Sequence, residues 1–375
     1  MPNFLNFFSS LLLVTFANFI VCDTDAINFV PKYKDSSVIE RFRNWVDAHR
    51  IIPTSEHHFA HIFENWLGND KYIEEINAKN LSYTLGHNAY SGMNIEEFSQ
   101  YMGFGTNQEM FAKGMKNLRG SVPSVEQEEI QEIQDTDALS QSLDWRTKGA
   151  VSAIRNQESC GSCWAFSGTS TLESASAIKY GKLYDLSEQQ SVSCAGLRYG
   201  NLGCNGGYYS GLFDYSKNNG GICTEASYPY TSGNGDTGDC VKKCSPVSGT
   251  QVKSYVDVTP NSDNAMMNAL NVNPVSIAIE ADTRSFQLYS GGVYTDYEGC
   301  NKNSGKGSDT LPNIDHAVVL VGYGTQNGQD YYILRNSWGE SWGGSEKGYM
   351  LIGRGAQYGT YGMCGVLYDP MYPVV

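Results

Sequence analysis

Apolar positions fall into three regimes along the chain. Phe4, Leu5, Phe7 and Phe8, then Leu11 to Val21 with Thr15 and Asn18 as polar breaks, form a short apolar run that turns polar at Asp23. Asn6, Ser9, Ser10 and Asn18 interrupt it, so it falls short of the ~20 apolar residues of a membrane anchor and residues 1–22 read as a signal peptide, although no Lys or Arg precedes the run. From Val38 to Arg50 and from His58 to Asn80 the spacing is helical, with Phe59, Ile62, Phe63, Trp66, Ile73 and Ile76 recurring at three and four residues. Past residue 139 the chain turns to Gly, Tyr and Cys with short strand-like runs. Between these regimes, Ser121 to Asp137 holds Glu126, Glu128, Glu129, Glu132, Asp135 and Asp137 and no aromatic residue. Such a stretch cannot bury enough surface to fold and is open to proteases. The expected organisation is a signal peptide (1–22), a helical unit (23–120), an acidic linker (121–138) and a C-terminal unit (139–375).

With 375 residues, 41% of them hydrophobic and 18% charged, the chain can build one large two-lobed domain plus a smaller one. The net charge of -14 sets it against nucleic-acid partners, whose phosphates attract basic surfaces. Ten cysteines in an exported chain point to disulfides. Setting Cys22 aside with the leader leaves Cys160, Cys163, Cys194, Cys204, Cys223, Cys240, Cys244, Cys300 and Cys364. Their number is odd, so at least one thiol stays free, and all follow residue 159.

Five of the six histidines (His49, His57, His58, His61 and His87) precede the linker, which leaves His316 as the only imidazole beyond it. A catalytic zinc site usually needs two or three His ligands, so no metal or other cofactor is expected. His316 opens the run His316-Ala317-Val318-Val319-Leu320-Val321-Gly322, and a second strand follows from Tyr331 to Asn336. Asn327-Gly328 between them is a hairpin-turn signal, because both tolerate positive φ. Such a hairpin puts His316 across from about Asn336 or Ser337. Gln157-Glu158-Ser159-Cys160-Gly161-Ser162-Cys163-Trp164 precedes a helix-like stretch running to Gly181. Cys163 then sits in the first helical turn, where the macrodipole favours a thiolate. A redox CxxC pair or half a zinc ribbon is the competing reading, but the second CxxC of a ribbon is absent.

From about Leu143 to Tyr372 the chain resembles the papain and cathepsin L family of cysteine peptidases. The resemblance rests on Asp144-Trp145-Arg146, Gln157, Cys160 to Trp164, Cys204-Asn205-Gly206-Gly207, Tyr228-Pro229-Tyr230, Asp315-His316-Ala317 and Asn336-Ser337-Trp338-Gly339. It implies an α+β, two-lobed fold, with a helical left lobe, a β-barrel right lobe and the active site in the cleft between them. It also implies a cysteine endopeptidase made as an inactive precursor and activated at acidic pH by a cut near the end of the linker. Cys163 would be the nucleophile, His316 its general base and acid, Asn336 the residue orienting that ring under Trp338, and Gln157 with the Cys163 N–H the oxyanion hole. Gly206 and Gly207 would line the cleft, Gly207 binding the substrate backbone. Tyr208, Ala278, Ile314 and Ala317 would wall the pocket for the second residue before the cut, with Asp369 at its floor to admit Arg. The pairings carried over are Cys160 with Cys204, Cys194 with Cys240, and Cys300 with Cys364, leaving Cys223 and Cys244 for a further bridge. Cys240 and Cys244 could exchange roles.

Trp66, Asn69, Ile73 and Asn77 match the later positions of the family's propeptide helix, whereas His58 and Ile62 replace its Glu and Arg. Tyr90 and Gly92 likewise depart from its Phe and Asp. An inhibitory propeptide without the usual salt-bridge network is expected, with four histidines (His57, His58, His61 and His87) that acid would charge. Expected partners are protein and peptide substrates, the propeptide itself and cystatin-type inhibitors; the chain is expected to be a monomer without a membrane anchor. Its route is secretory, ending in a lysosome, a vacuole or the extracellular space, and the one glycosylation sequon, Asn80-Leu81-Ser82, agrees with export. An exopeptidase of the same family, or a catalytically silent binding or storage homologue, are the alternatives. No insertion with paired histidines follows the linker to favour the first, and nucleophile and base are both present against the second.

Overall fold

The computed structural model describes residues 35–102, 140–242, 244–300 and 312–375. The predicted signal peptide and acidic linker lie outside them. None of the described helices is long and apolar enough to cross a membrane.

The N-terminal unit is built on α1 (Ser36–His49) and α2 (Glu56–Asn77). Asp35 accepts a bond from the Ser37 N–H and Ser55 one from the His58 N–H, so each helix starts at an oxygen that satisfies an orphan donor. Phe42, Trp45, Phe59, Ile62, Phe63 and Trp66 form the unit's own core. Gly92 lies against Ile62 and Trp45, leaving no space for a Cβ. The two positions where the family carries Arg and Asp thus meet as an apolar contact. The helix α2 ends three residues before the predicted Asn80, because the Asn77 side chain both donates to and accepts from the Leu85 backbone, each at 2.9 Å, and turns the chain into β1 (Tyr83–Leu85). The unit closes with α3 (Ile95–Met102).

After β2 (Leu143–Asp144), the helical lobe comprises α4 (Cys163–Tyr180), α5 (Glu188–Cys194) and α6 (Tyr209–Asn219). Small residues on α4 let it run buried through the lobe from Cys163 to Ser176, and it stops at Gly181, whose φ of 70° takes the chain out of the helix. Trp164, Leu172, Leu186, Leu212, Phe213 and Ile222 fill this core. The strand-rich lobe follows: β3 (Ser254–Asp257), α7 (Asp263–Val272), β4 (Val275–Ile279), α8 (Arg284–Gln287), β5 (Tyr289–Tyr294), β6 (His316–Gln326), β7 (Gln329–Arg335), β8 (Tyr349–Gly353) and β9 (Met371–Val374). Their hydrogen-bonded order is β1-β5-β8-β7-β6-β4-β9-β3, with β2 on β6. Disulfides join Cys160–Cys204, Cys194–Cys240, Cys223–Cys244 and Cys300–Cys364, and Cys163 keeps its thiol outside these bridges.

The two units share one sheet. Strand β1 adds to the edge of β5, with Tyr83 opposite Gly292. The φ of Gly292 is 80°, and a Cβ there would lie 2.3 Å from the Ser82 carbonyl, so only glycine lets the backbones meet this closely. Ile73, Ile76, Tyr83, Leu85, Tyr90 and Phe98 belong to the same apolar cluster as Phe286, Trp338 and Trp342 of the strand-rich lobe.

Candidate active site

The site forms where α4 meets β6. The Ser167 hydroxyl, one turn along α4 from Cys163, donates to the Val318 carbonyl at 2.8 Å. Val318 lies two residues beyond His316 on the same strand, so this bond sets the start of the helix beside the start of the strand. The Cys163 thiol hydrogen-bonds with the Ala317 and Trp164 backbones, and Cys163 and His316 are both fully buried.

Across the hairpin, the imidazole Nε2 and the Asn336 Oδ1 are 2.8 Å apart. The strand register is not what brings them together. Asn327 and Gly328 form the two-residue turn, with φ of 52° and 77°, but Val319 pairs with Arg335, so the ladder carried onward would put Trp338 opposite His316. Pairing stops at Arg335 because the Asn336 N–H turns to the Gly348 carbonyl at 3.0 Å, and the carboxamide reaches back. Trp338 stacks on the imidazole at 4.6 Å and 22°. The ring's Nδ1 makes no hydrogen bond within the described structure, which leaves it as the nitrogen available to the thiol and a substrate.

Gln157 is buried beside them. Its Nε2 donates to the Cys160 carbonyl at 3.0 Å and its Oε1 accepts from the Ser337 hydroxyl at 2.6 Å, so the amide is held between the two halves of the site. Cys163 opens α4, where the first N–H groups have no helical partner.

Burial governs the charge state. Loss of hydration pushes the Cys163 thiol up to about 12, with the carboxylate of Asp315 adding to it, against backbone hydrogen bonds that pull it down. Loss of hydration likewise takes His316 down to about 4, opposed by its bond to Asn336. In this precursor burial therefore works against both charged forms, opposite in sign to the pull of the helix N-terminus on the thiolate.

Tyr208, Ala278, Ile314 and Ala317 belong with Cys163 to one apolar cluster, which also includes Met371. Gly207 fits against Asn201 and Trp164, where a Cβ would come within 2.5 Å of the Asn201 side chain, and Gly206 adopts a φ of 106°. Asp369 is buried, and its carboxylate and carbonyl both accept from the Tyr209 hydroxyl, the former at 3.0 Å. Sequence reasoning did not single out Met371 or Tyr209, although Met371 stands two residues beyond Asp369, the period of one strand face. Nor did it find the charged crevice behind Asn336, where Arg155 meets Glu188 at 3.3 Å and Arg335 donates to the Ser152 and Ala153 carbonyls. Burial holds Glu188 up at about 8, against the pull of Arg155. No cluster of His, Cys, Asp or Glu among the described residues could hold a metal ion.

The N-terminal unit sits against this site. Phe98 meets Trp338 edge-on at 5.2 Å and Tyr90 packs on it at 5.7 Å. Asn88 donates to the Gln287 carbonyl, and Gln287 donates to the Tyr90 and Met93 carbonyls. The Arg284 guanidinium donates to Asn69 Oδ1 at 2.8 Å and lies 4.6 Å over the Tyr72 ring.

Comparison with known proteins agrees with this architecture. The family described as papain family cysteine protease matches residues 139–374, and the cathepsin propeptide inhibitor domain matches residues 42–98. The chain is 40% identical over 313 residues to the probable cysteine protease RD21B of Arabidopsis thaliana, which takes in 83% of this chain and 60% of that protein. The chain thus spans well under two thirds of that relative's length. It is 39% identical over 318 residues to digestive cysteine proteinase 1 of Homarus americanus, covering 83% and 87% of the two chains. The structure of digestive procathepsin L 3 of Tenebrio molitor larval midgut superposes with a TM-score of 0.71 at 32% identity, over 91% of this chain and 100% of that one.

Proposed function

The chain belongs to the papain family of cysteine proteases and carries that family's inhibitory propeptide domain, and on this premise we propose that it is the zymogen of a cysteine endopeptidase acting through Cys163 and His316. The observation that carries the reading is the convergence at one buried point of a thiol outside the disulfides, at a helix start, and an imidazole held by Asn336 under Trp338. Once the propeptide leaves and water returns, proton transfer from Cys163 to His316 gives the reactive pair. The thiolate attacks the scissile carbonyl, and the Cys163 N–H and Gln157 Nε2 receive the oxyanion. His316 then protonates the departing amine, and water hydrolyses the acyl-enzyme with the same imidazole as base. Gly206 and Gly207 line the cleft, and Gly207 binds the substrate backbone. Tyr208, Ala278, Ile314 and Ala317 select an apolar or aromatic second residue, and Asp369 also admits Arg.

Activation is driven by acid. Burial lowers His87, whose ring stacks on Trp66; Asp70, 3.1 Å from its Nε2, opposes the lowering and Arg41 adds to it, while burial lowers His49 too, with His87 contributing. A histidine lowered on folding stabilises the folded unit fully above its unfolded value of about 6.5 and loses that stability as pH falls towards its folded value. The propeptide therefore loosens below about pH 6.5. His87 and His49 are thus the groups through which acid acts on the propeptide.

A signal peptide at 1–22, a propeptide at 23–120, a cut near the end of 121–138 and a mature monomer from 139 complete the reading, along the secretory route to a lysosome, vacuole or the exterior. Protein and peptide substrates and cystatin-type inhibitors are its partners. An E-64-type epoxide should label Cys163 after acid treatment and fail with Cys163→Ser; absence of labelling in the wild-type chain supports the silent-homologue alternative. Cleavage of a quenched peptide blocked at both ends separates endopeptidase from exopeptidase.

A further inference from the structure

The sequence holds one Asn-X-Ser/Thr triplet, Asn80-Leu81-Ser82, and the fold places its two ends differently. Asn80 is exposed in the turn after α2, with a φ of 50°, and its N–H donates to the Asn77 carbonyl at 3.2 Å. Leu81 is 44% exposed. Ser82 is held against the catalytic body: its hydroxyl donates to the Val293 carbonyl at 2.8 Å and lies 2.9 Å from the Thr295 hydroxyl, and its carbonyl accepts from the Val293 N–H at 2.9 Å. Four disulfides place folding in an oxidising compartment, where N-glycosylation also takes place.

We propose that Asn80 carries an N-linked oligosaccharide, added before the propeptide docks on β5. In the transfer, the Asn80 carboxamide nitrogen bonds to C1 of the sugar of a polyprenyl-diphosphate-linked donor. The bond from C1 to the diphosphate oxygen breaks, the polyprenyl diphosphate leaves with its electron pair, and one amide proton passes to the transferase's base. The transferase reads the hydroxyl two residues on, and in the docked precursor that hydroxyl is already engaged by Val293 and Thr295. Modification is thus confined to the undocked chain. The exposed turn then carries the sugar beside the open edge of β1 without disturbing the β1–β5 pairing. The sugar leaves with the propeptide, a clause that rests on the proteolytic reading above; the attachment does not.

The full chain bearing Cys163→Ala, secreted from a eukaryotic host, should lose mass on treatment with peptide N-glycosidase F, with Asn80 converted to Asp in the peptide map. Asn80→Gln and, as a second variant, Ser82→Ala should show no shift. An unshifted Cys163→Ala precursor overturns the proposal. For the timing, the unglycosylated precursor, refolded from bacteria, is offered to microsomes containing the transferase and its donor, beside the same chain reduced and unfolded. Transfer to the unfolded chain alone supports the order; equal transfer to both overturns it. Epoxide labelling of the activated wild-type chain tests the proteolytic reading separately.

Discussion

Replacing Arg284 with Ala should open the precursor without disturbing its chemistry. Arg284 stands at the start of α8 in the catalytic body, yet its partners are Asn69 at 2.8 Å and the Tyr72 ring at 4.6 Å, both on α2. A hydrogen bond from a charged donor contributes about 1.5–3 kcal/mol. A half-exposed cation over an aromatic face adds about 0.5–1 kcal/mol. Together they hold the docked state by about 2–4 kcal/mol, which at 1.4 kcal/mol per tenfold is roughly 30-fold to 10³-fold in the docking equilibrium. Burial also lowers the Arg284 pKa, meaning that docking costs it hydration, so the lower end is the better expectation. The readout is the rate at which iodoacetamide alkylates Cys163 in the uncut chain at pH 7.5, followed by intact mass, because a buried thiol reacts only from the open state. The Arg284→Ala precursor should be alkylated about 30-fold faster than wild type, while the processed forms of both react alike. Asn69→Ala should give a similar gain, with the double variant well short of the product of the two. A precursor rate within threefold of wild type would refute the assignment of Arg284 as a docking residue.

Three further outcomes are expected. Gln157→Ala should lower kcat by about 10²–10³-fold with little change in KM, as loss of one oxyanion donor does; an unchanged kcat removes Gln157 from the chemistry. His87→Gln should move the activation midpoint, followed by gel and epoxide labelling between pH 4 and 7, to lower pH, since the variant has no proton to gain at that position; an unmoved midpoint shows that His87 is not the trigger. Asp369→Ala should reduce cleavage after a second-residue Arg by more than tenfold and leave Phe substrates nearly unaffected. Equal loss for both would mean that Asp369, bonded to Tyr209, only supports the pocket wall.

The parts of the fold legible in the sequence were those written in local patterns. The three- and four-residue recurrence from Phe59 to Ile76 corresponds to α2, Gly181 to the end of α4, and Asn327-Gly328 to the β6–β7 turn. What escaped was long-range. Nothing local to Tyr83 or Gly292 announces that β1 extends a sheet more than two hundred residues away, because strand addition is specified by an open edge and not by a motif. The same holds for the bond from Arg284 to Asn69 and for the way Asn336 leaves its strand to reach His316. Charge state is not local either. A cysteine at a helix start suggests a stabilised thiolate, but the balance is set by how much water reaches the sulfur, and that depends on the whole interface.

The same loss of water bears on the propeptide. A plug that only blocked the cleft would leave a reactive thiolate behind it, exposed to oxidants whenever the precursor breathed. Here the buried thiol is pushed up to about 12 and the imidazole down to about 4, so burial in the precursor works against the ion pair. On the propeptide side the contacts above the ring are apolar: Phe98 and Tyr90 pack on Trp338, which stacks on His316. Ile62 lies against Gly92 at the positions where the family carries Arg and Asp, and this apolar brace holds no charge for acid to remove. On the proposed reading, inhibition and silencing of the nucleophile are one physical act, the removal of water, and reversing it restores access and reactivity together.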